Sequence, residues 1–329
     1  MSVNAWVSHA GIFPATIKFN EALTISWTNG TGSQVPLGSF FLMPLTVKKK
    51  RAYINQTVHV AIDDEAAFSE FTSALITQPN FTWTLATKKV DVRALTFLSA
   101  HNINFQKDVH LSGMNNFQDN ITLVDLQLPR DASEGGGIEF VAMTGIHNPS
   151  PLSIDLGAVS FDLSYDGLYL GTGNGVSVKI GTGTNNITLQ GTLVPQNGSD
   201  NLAKVSQLFT GFLNSDRPTV VAKGRATFQD GGSEVSWLSA GVASLELQVP
   251  FSVPEPINPI RRISIGDMAL AFSEQNAWAP IVSSRSLQAD LELPFGFNIS
   301  IGELANAFNI TSGGSVVGGL STVCVVCIS

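Results

Sequence analysis

The sequence predicts a mainly β protein made of tandem β-sandwiches, each carrying one short α-helix. Three observations support that. Apolar and polar residues alternate with period two through most of the chain, in short runs separated by Gly, Asn, Pro and Ser clusters. Two stretches follow a helical period instead. Similar patterns also return after about 135 to 145 residues, a spacing the size of a domain rather than of a solenoid repeat.

Val141 to Thr144, Ser160 to Tyr165, Val176 to Ile180, Ile187 to Leu193, Thr219 to Phe228 and Leu245 to Phe251 read as strands, and short strands at this spacing suggest a sandwich. In "DDEAAFSEFTSALI", Phe68, Phe71 and Leu75 fall on one helical face after Asp63 or Asp64. In "SDNLAKVSQLFTGFL", Leu202, Val205, Leu208, Phe209 and Phe212 do the same, with Ser199, Asp200 or Asn201 available as the cap. The repeat aligns Leu37-Gly38 with Leu170-Gly171, "AYINQTVHV" with "NNITLQGTL", and the two helices with each other. "NPSPLSI" (148–154) is matched by "LPFGFNI" (293–299). The expected organisation is a first sandwich over 1–118 without its N-terminal strands, a complete second over 119–255, and a partial third over 256–329 consisting of lead-in strands. Either the chain is a segment of a longer tandem array, the reading we favour, or its partial copies complete one another. Sandwiches lacking strands would otherwise leave open edges.

Composition narrows the function. Charged residues make up 13% and hydrophobic ones 43%, so the chain is ordered and unusually apolar. A net charge of -8 gives no electrostatic footprint for nucleic acid. The basic run Lys48-Lys49-Lys50-Arg51 reads as a solvated strand end or, alternatively, as a contact for an anionic headgroup or partner. Cys324 and Cys327 lack a second ligand pair, so no zinc or redox site is expected. The tail "SVVGGLSTVCVVCIS" is too short and too rich in glycine to span a bilayer, and the N-terminal residues lack the pattern of a signal peptide. Yet glycosylation sequons occur at Asn29, Asn55, Asn80, Asn120, Asn186, Asn197, Asn298 and Asn309, where composition would give roughly four. They reflect either chance in an Asn- and Thr-rich chain or exposure to a secretory lumen.

Motifs for catalysis are lacking, and no enzyme activity, cofactor or metal is expected. His9, His59, His101, His110 and His147 show no metal-ligand spacing, and there is no Gly-x-Ser-x-Gly elbow. "LGTGNGVSV" (170–178) resembles a phosphate loop only superficially and reads as a hairpin turn, since no helix follows it. "EGGGIEF" (134–140) reads as a turn before a strand, and Asp63-Asp64-Glu65 as a helix N-terminus rather than a calcium loop. Apolar excess remains, in "SFFLMPLTV" and "IVSSRSLQADLELPFGF". It implies either tight packing or an apolar groove or surface for acyl chains or a protein partner. The strand after Asn148-Pro149-Ser150-Pro151 is the candidate groove strand, through Ile154, Leu156, Phe161, Leu163 and Tyr165. The two prolines themselves suit a sheet edge or the lead-in to a strand.

The stretch "FVAMTGIHNPSPLSIDLGAVSFDLSYDGLYLG" resembles the late-embryogenesis-abundant type-two domain, also called the water-stress-and-hypersensitive-response domain. With "GGGIEF", the apolar helix and "VSWLSAGVASLEL", the pattern is similar to a fungal family of uncharacterised tandem domains of that type. The resemblance implies immunoglobulin-like or fibronectin-like seven-strand sandwiches with one helix each. It also implies a parent protein anchored by an N-terminal transmembrane helix absent from this chain, with the repeats in the vacuolar or secretory lumen. A lipid-binding or lipid-transfer role comes with it, and no catalytic residues. The expected function is therefore a non-enzymatic lumenal module that binds lipid through an apolar groove. The alternative is a tandem scaffold for protein–protein interaction.

Overall fold

Leu23, Ile25 and Trp27 are buried while the residues between them face outward, and this alternation builds most of the chain into sheets. The computed structural model describes residues 1–8, 13–95, 97–117, 121–229, 232–252, 257, 260–272, 274, 281–293, 295–297 and 303–325. The fold is mainly β and β-sandwich-like, with three α-helices among the described residues.

The first sheet contains β1 (Ser2–Ser8), β2 (Ala15–Phe19), β3 (Leu23–Thr28), β4 (Gln34–Phe40), β5 (Leu45–Lys48), β6 (Arg51–Thr57), β7 (Ala61–Ile62), β8 (Asn80–Ala94) and β9 (Leu98–Ser112). Their order is β1-β6-β5-β2-β8-β3-β4-β7, with β9 on the other edge of β8. The second sheet contains β10 (Ile121–Gln127), β11 (Ile138–Asn148), β12 (Ile154–Tyr165), β13 (Leu168–Ile180), β14 (Gly183–Leu193), β15 (Thr219–Phe228) and β16 (Glu246–Pro250), in the order β10-β11-β14-β13-β12-β15-β16. Two antiparallel ribbons follow, β17 (Ile260–Ala271) with β18 (Ile281–Leu291) and β19 (Glu303–Ser312) with β20 (Ser315–Val325). The helices are α1 (Glu65–Thr77), α2 (Ser199–Leu213) and α3 (Ser236–Ala243). By compactness the chain divides into one unit of residues 1–125, 142–191 and 217–252 and another of 126–141, 192–216 and 253–329.

In the first unit, Asp64 caps α1, its Oδ1 accepting from the Ala67 N–H at 3.0 Å. The helix then buries Phe71, Leu75 and Ile76. Phe71 meets Trp27 at 5.6 Å and Phe81 at 5.4 Å in edge-to-face contacts, anchoring one core cluster. Full burial of each such side chain stabilises the fold by about 1.5–3 kcal/mol. The opposite side of α1 packs on α3, where Ser73 Oγ donates to the Ala240 carbonyl at 3.2 Å and Phe68 meets Trp237 at 4.9 Å. Leu238 and Val242 of α3 enter the second cluster with Leu156, Val159 and Phe161 of β12.

Helix α3 departs from the sequence reading, which assigned one helix to each region. "SWLSAGVA" is apolar all round and has no side-chain cap, so neither period nor capping announces it. It forms because Ser239 Oγ accepts from the buried Thr227 N–H at 2.9 Å and Gly224 of β15 lets the backbone of the helix approach. "LGTGNGVSV" is also corrected, from a turn to the interior of β13. Gly171, Gly173 and Gly175 recur with period two on the buried side of that strand. A Cβ on Gly175 would come within 2.5 Å of Val178 Cγ2 and 3.1 Å of Val159 Cγ2, so close packing selects glycine here. The reversal lies at Asp166 and Gly167, both at positive φ, 46° and 73°.

In the second unit, α2 begins one residue before the expected caps, with Gly198 at the N-cap. Phe209 of α2 meets Phe295 at 5.9 Å, and Phe295 bridges to Leu128. The Gly296 N–H donates to the Leu128 carbonyl at 2.7 Å, and a Cβ at Gly296 would overlap the Pro129 carbonyl oxygen. This places part of the "LPFGFNI" lead-in against a strand end.

Candidate functional site

Asn148 ends β11 and is 1% exposed. Its amide nitrogen donates to the Leu152 and Gly181 carbonyls, both at 2.9 Å, and its Oδ1 accepts from the Ser150 N–H at 2.9 Å. Ser150 Oγ then accepts from the Leu152 N–H at 3.2 Å. Pro149 and Pro151 bring no backbone donor of their own, so the side chains of Asn148 and Ser150 complete the hydrogen bonding of this corner. Every polar atom of the Asn148 amide is engaged within the fold, which makes the motif a clamp between β11 and β12.

Strand β12 pairs on both edges, with β13 and β15. Leu156 and Phe161 are buried in the core around Val159 and Val178, Ile154 and Leu163 pack against it, and Tyr165 is half-buried. An open concavity of about 450 Å³ lies over the β13–β14 hairpin, bounded by Asn174, Val176, Lys179, Asn186 and Gln190. Its wall is about evenly polar and apolar and it is open, so it lacks the enclosed apolar lining that an acyl chain requires.

The described histidines, His59, His101, His110 and His147, are all exposed, and His9 lies outside the described residues. Among the described residues no three His, Cys, Asp or Glu side chains group to hold a metal ion. Asp91 has three hydrogen-bond partners. Hydrogen bonds from the Asn20 side chain, the His101 ring and the Asn102 backbone N–H hold its carboxyl below the ordinary carboxylate range. A depressed folded pKa means that the carboxylate form stabilises the fold above the unfolded value and that this contribution disappears as pH falls through the folded one. In an NMR titration, Asp91 is expected to protonate below the ordinary carboxylate range; protonation within or above that range would contradict the assigned hydrogen bonds.

Asn55, Asn80, Asn186, Asn197 and Asn309 are exposed. Asn29 is half-buried, its Oδ1 accepting from Thr31 and Ser33 N–H groups at 3.1 and 3.0 Å. Asn120 and Asn298 lie outside the described residues.

Exposed apolar side chains gather at one end of the first sheet. Ala15 of β2 pairs with Val47 of β5 on one side and Ala94 of β8 on the other, and Ser8 of β1 pairs with Arg51 of β6. These registers bring the β5–β6 turn, the β8–β9 turn and Phe13 to a common rim. Successive strands lie about 4.8 Å apart, so β1 through β9 at this end span roughly 24 Å. Phe97 is 80% exposed, Phe13 and Leu98 are each 52% exposed, and Leu95 is also exposed. Trp6 and Tyr53 pair directly across β1 and β6 on the outward face, one step behind, each 62% exposed. Lys49, Lys50 and Leu95 have φ of 51°, 66° and 51°, where glycine or asparagine would be free of strain. A rim optimised for stability would carry those residues. The basic run was visible in the sequence, whereas Phe97, Trp6 and Tyr53 were not singled out; the available signal was the apolar trio Leu95, Phe97 and Leu98 between two strand-like runs.

One protein family, described as "Protein of unknown function (DUF3712)", matches residues 35–163. That span includes the Lys48–Arg51 turn, the β8–β9 turn and the Asn148 clamp. No curated protein and no solved structure matches the chain.

Proposed function

We propose that the protein is a non-enzymatic module that binds lipid through the exposed apolar rim of its first sheet. The observation that carries this is the gathering of Phe13, Leu95, Phe97 and Leu98, backed by Trp6 and Tyr53, where turns of soluble domains usually place Gly, Asn and Asp. The sequence resemblance to tandem late-embryogenesis-abundant type-two domains supports a lumenal setting in a fungal vacuolar or endomembrane protein. The excess of sequons is consistent with that setting. Among the described residues no helix is long and apolar enough to cross a membrane. Because Leu156 and Phe161 are engaged in core packing, lipid contact is assigned to the rim and not to a groove along β12.

A second reading, a scaffold for protein partners, is favoured by the β17–β18 ribbon, which exposes Ile260, Ile265, Met268 and Leu270. Two-stranded ribbons readily accept a further strand.

The test is association of the purified chain with phospholipid vesicles in flotation, together with mass spectrometry of lipids that co-purify with it. Recovery with vesicles or retention of stoichiometric lipid is expected. A chain that stays at the bottom of the gradient with every vesicle composition, and carries no lipid, would overturn the reading.

A further inference from the structure

The same rim has a second chemical property, its charge. Residues 1–62 contain Lys18, Lys48, Lys49, Lys50 and Arg51 against Glu21 alone, in a chain whose net charge is -8. Four of those cations occupy one two-residue hairpin turn and its flanks. All four are exposed, and none makes an ion pair with a described residue. Register places Arg51 opposite both Ser8 and Lys48, so the turn stands beside the aromatic pair Trp6–Tyr53. The β8–β9 turn, with Leu95, Phe97 and Leu98, lies two strands from β5, roughly 10 Å away.

Resting on the lipid-binding reading, we propose that the rim docks on an anionic bilayer surface. The Lys48–Arg51 turn would meet the headgroups, and Phe97, Leu98 and Phe13 would sit at the boundary with the acyl chains. A free acyl chain would require an enclosed apolar cavity and no cluster of cations. A bilayer with anionic headgroups requires both properties of this rim, aromatic and aliphatic tips for the interface and unpaired cations for the surface potential. Trp6 and Tyr53, amphipathic rings set slightly back, occupy the level at which such rings partition. The left-handed Lys49 and Lys50 fit the same account, since glycine at those positions would relieve strain but remove charge. The four cations come from consecutive residues of one hairpin turn and are exposed to solvent, so their attraction to an anionic surface is salt-sensitive.

The experiment is flotation of the full chain with phosphatidylcholine vesicles, with and without phosphatidylserine, at low and high salt. Four proteins are compared: the parent, the variant combining K48Q, K49Q, K50Q and R51Q, Phe97→Ser, and Lys107→Gln as a basic control outside the rim. Each variant is checked for unchanged thermal unfolding. Expected are binding to the phosphatidylserine vesicles that weakens with salt, loss of about 100- to 1,000-fold in the fourfold variant, and a smaller loss in Phe97→Ser. Lys107→Gln should bind like the parent.

Equal binding to neutral vesicles, undiminished by the fourfold change, would overturn the anionic docking while leaving lipid binding intact. Binding to neither vesicle, with no co-purifying lipid, would overturn both. Capture of an acidic polypeptide through the rim without vesicle binding would assign the cations to a protein partner and overturn the proposal.

Discussion

Asn148→Ala is expected to remove about 3–5 kcal/mol of folding stability, measured by urea unfolding. The side chain is buried and supplies three hydrogen bonds, two donated to the Leu152 and Gly181 carbonyls and one accepted from the Ser150 N–H. Truncation leaves all three backbone groups without their partner, and each orphaned buried group costs about 1–3 kcal/mol. Asn148→Asp should be as damaging above the carboxylate range, because an acceptor-only side chain would face two carbonyls. Ser150→Ala removes only the longer contact to the Leu152 N–H and should cost about 1 kcal/mol. A loss below about 1 kcal/mol for Asn148→Ala would show that water replaces the clamp, and that the corner is looser than its geometry implies.

Gly224→Ala should be nearly as costly, for a different reason. A methyl group there would overlap the Val242 carbonyl oxygen, a backbone atom that no rotamer change can move away. The Gly224 N–H also donates to the Leu245 carbonyl at 3.1 Å, so strand β15 and the end of α3 are held face to face. Relief requires α3 to lift from the sheet, drawing Val242 and Leu238 from the core. A loss of roughly 3 kcal/mol or more is expected. Gly183→Ala separates this effect from backbone strain. Nothing lies within 4 Å of its Cβ position, but its φ is 78°, so it should cost only about 1 kcal/mol. Gly30→Ala, with open space and no positive φ, should be within about 0.5 kcal/mol of neutral. Equal losses at all three positions would mean that close helix–strand approach is not what Gly224 provides.

The strands and the two longer helices were legible because their signals are local. Thr219–Phe228 is the strand its alternation predicts, and Asp64 caps the helix whose face Phe71 and Leu75 define. Alternation fails where small residues carry the packing. Gly171, Gly173 and Gly175 look like a turn because glycine is the commonest turn residue, and nothing in their own stretch reveals the valines that crowd them. Helix α3 was hidden for a related reason, since an eight-residue apolar segment has no polar face to set a period. The five apolar residues nominated along β12 were rightly read as one strand. Whether they line a groove depends on what lies opposite, and opposite Leu156 and Phe161 lies the rest of the core.

What the sequence determined by itself was the local backbone. Period-two runs made strands, Asp64 started a helix, and two prolines around Ser150 held the β11–β12 corner open for an asparagine to close. Tertiary structure alone decided which distant residues share a surface. Trp6, Phe13, the Lys48–Arg51 turn, Tyr53 and Phe97 come to one rim because β1, β6, β5, β2, β8 and β9 are neighbours in that order. That order is set by which apolar faces bury together across the whole first sheet, a long-range competition for burial that no short window of sequence records.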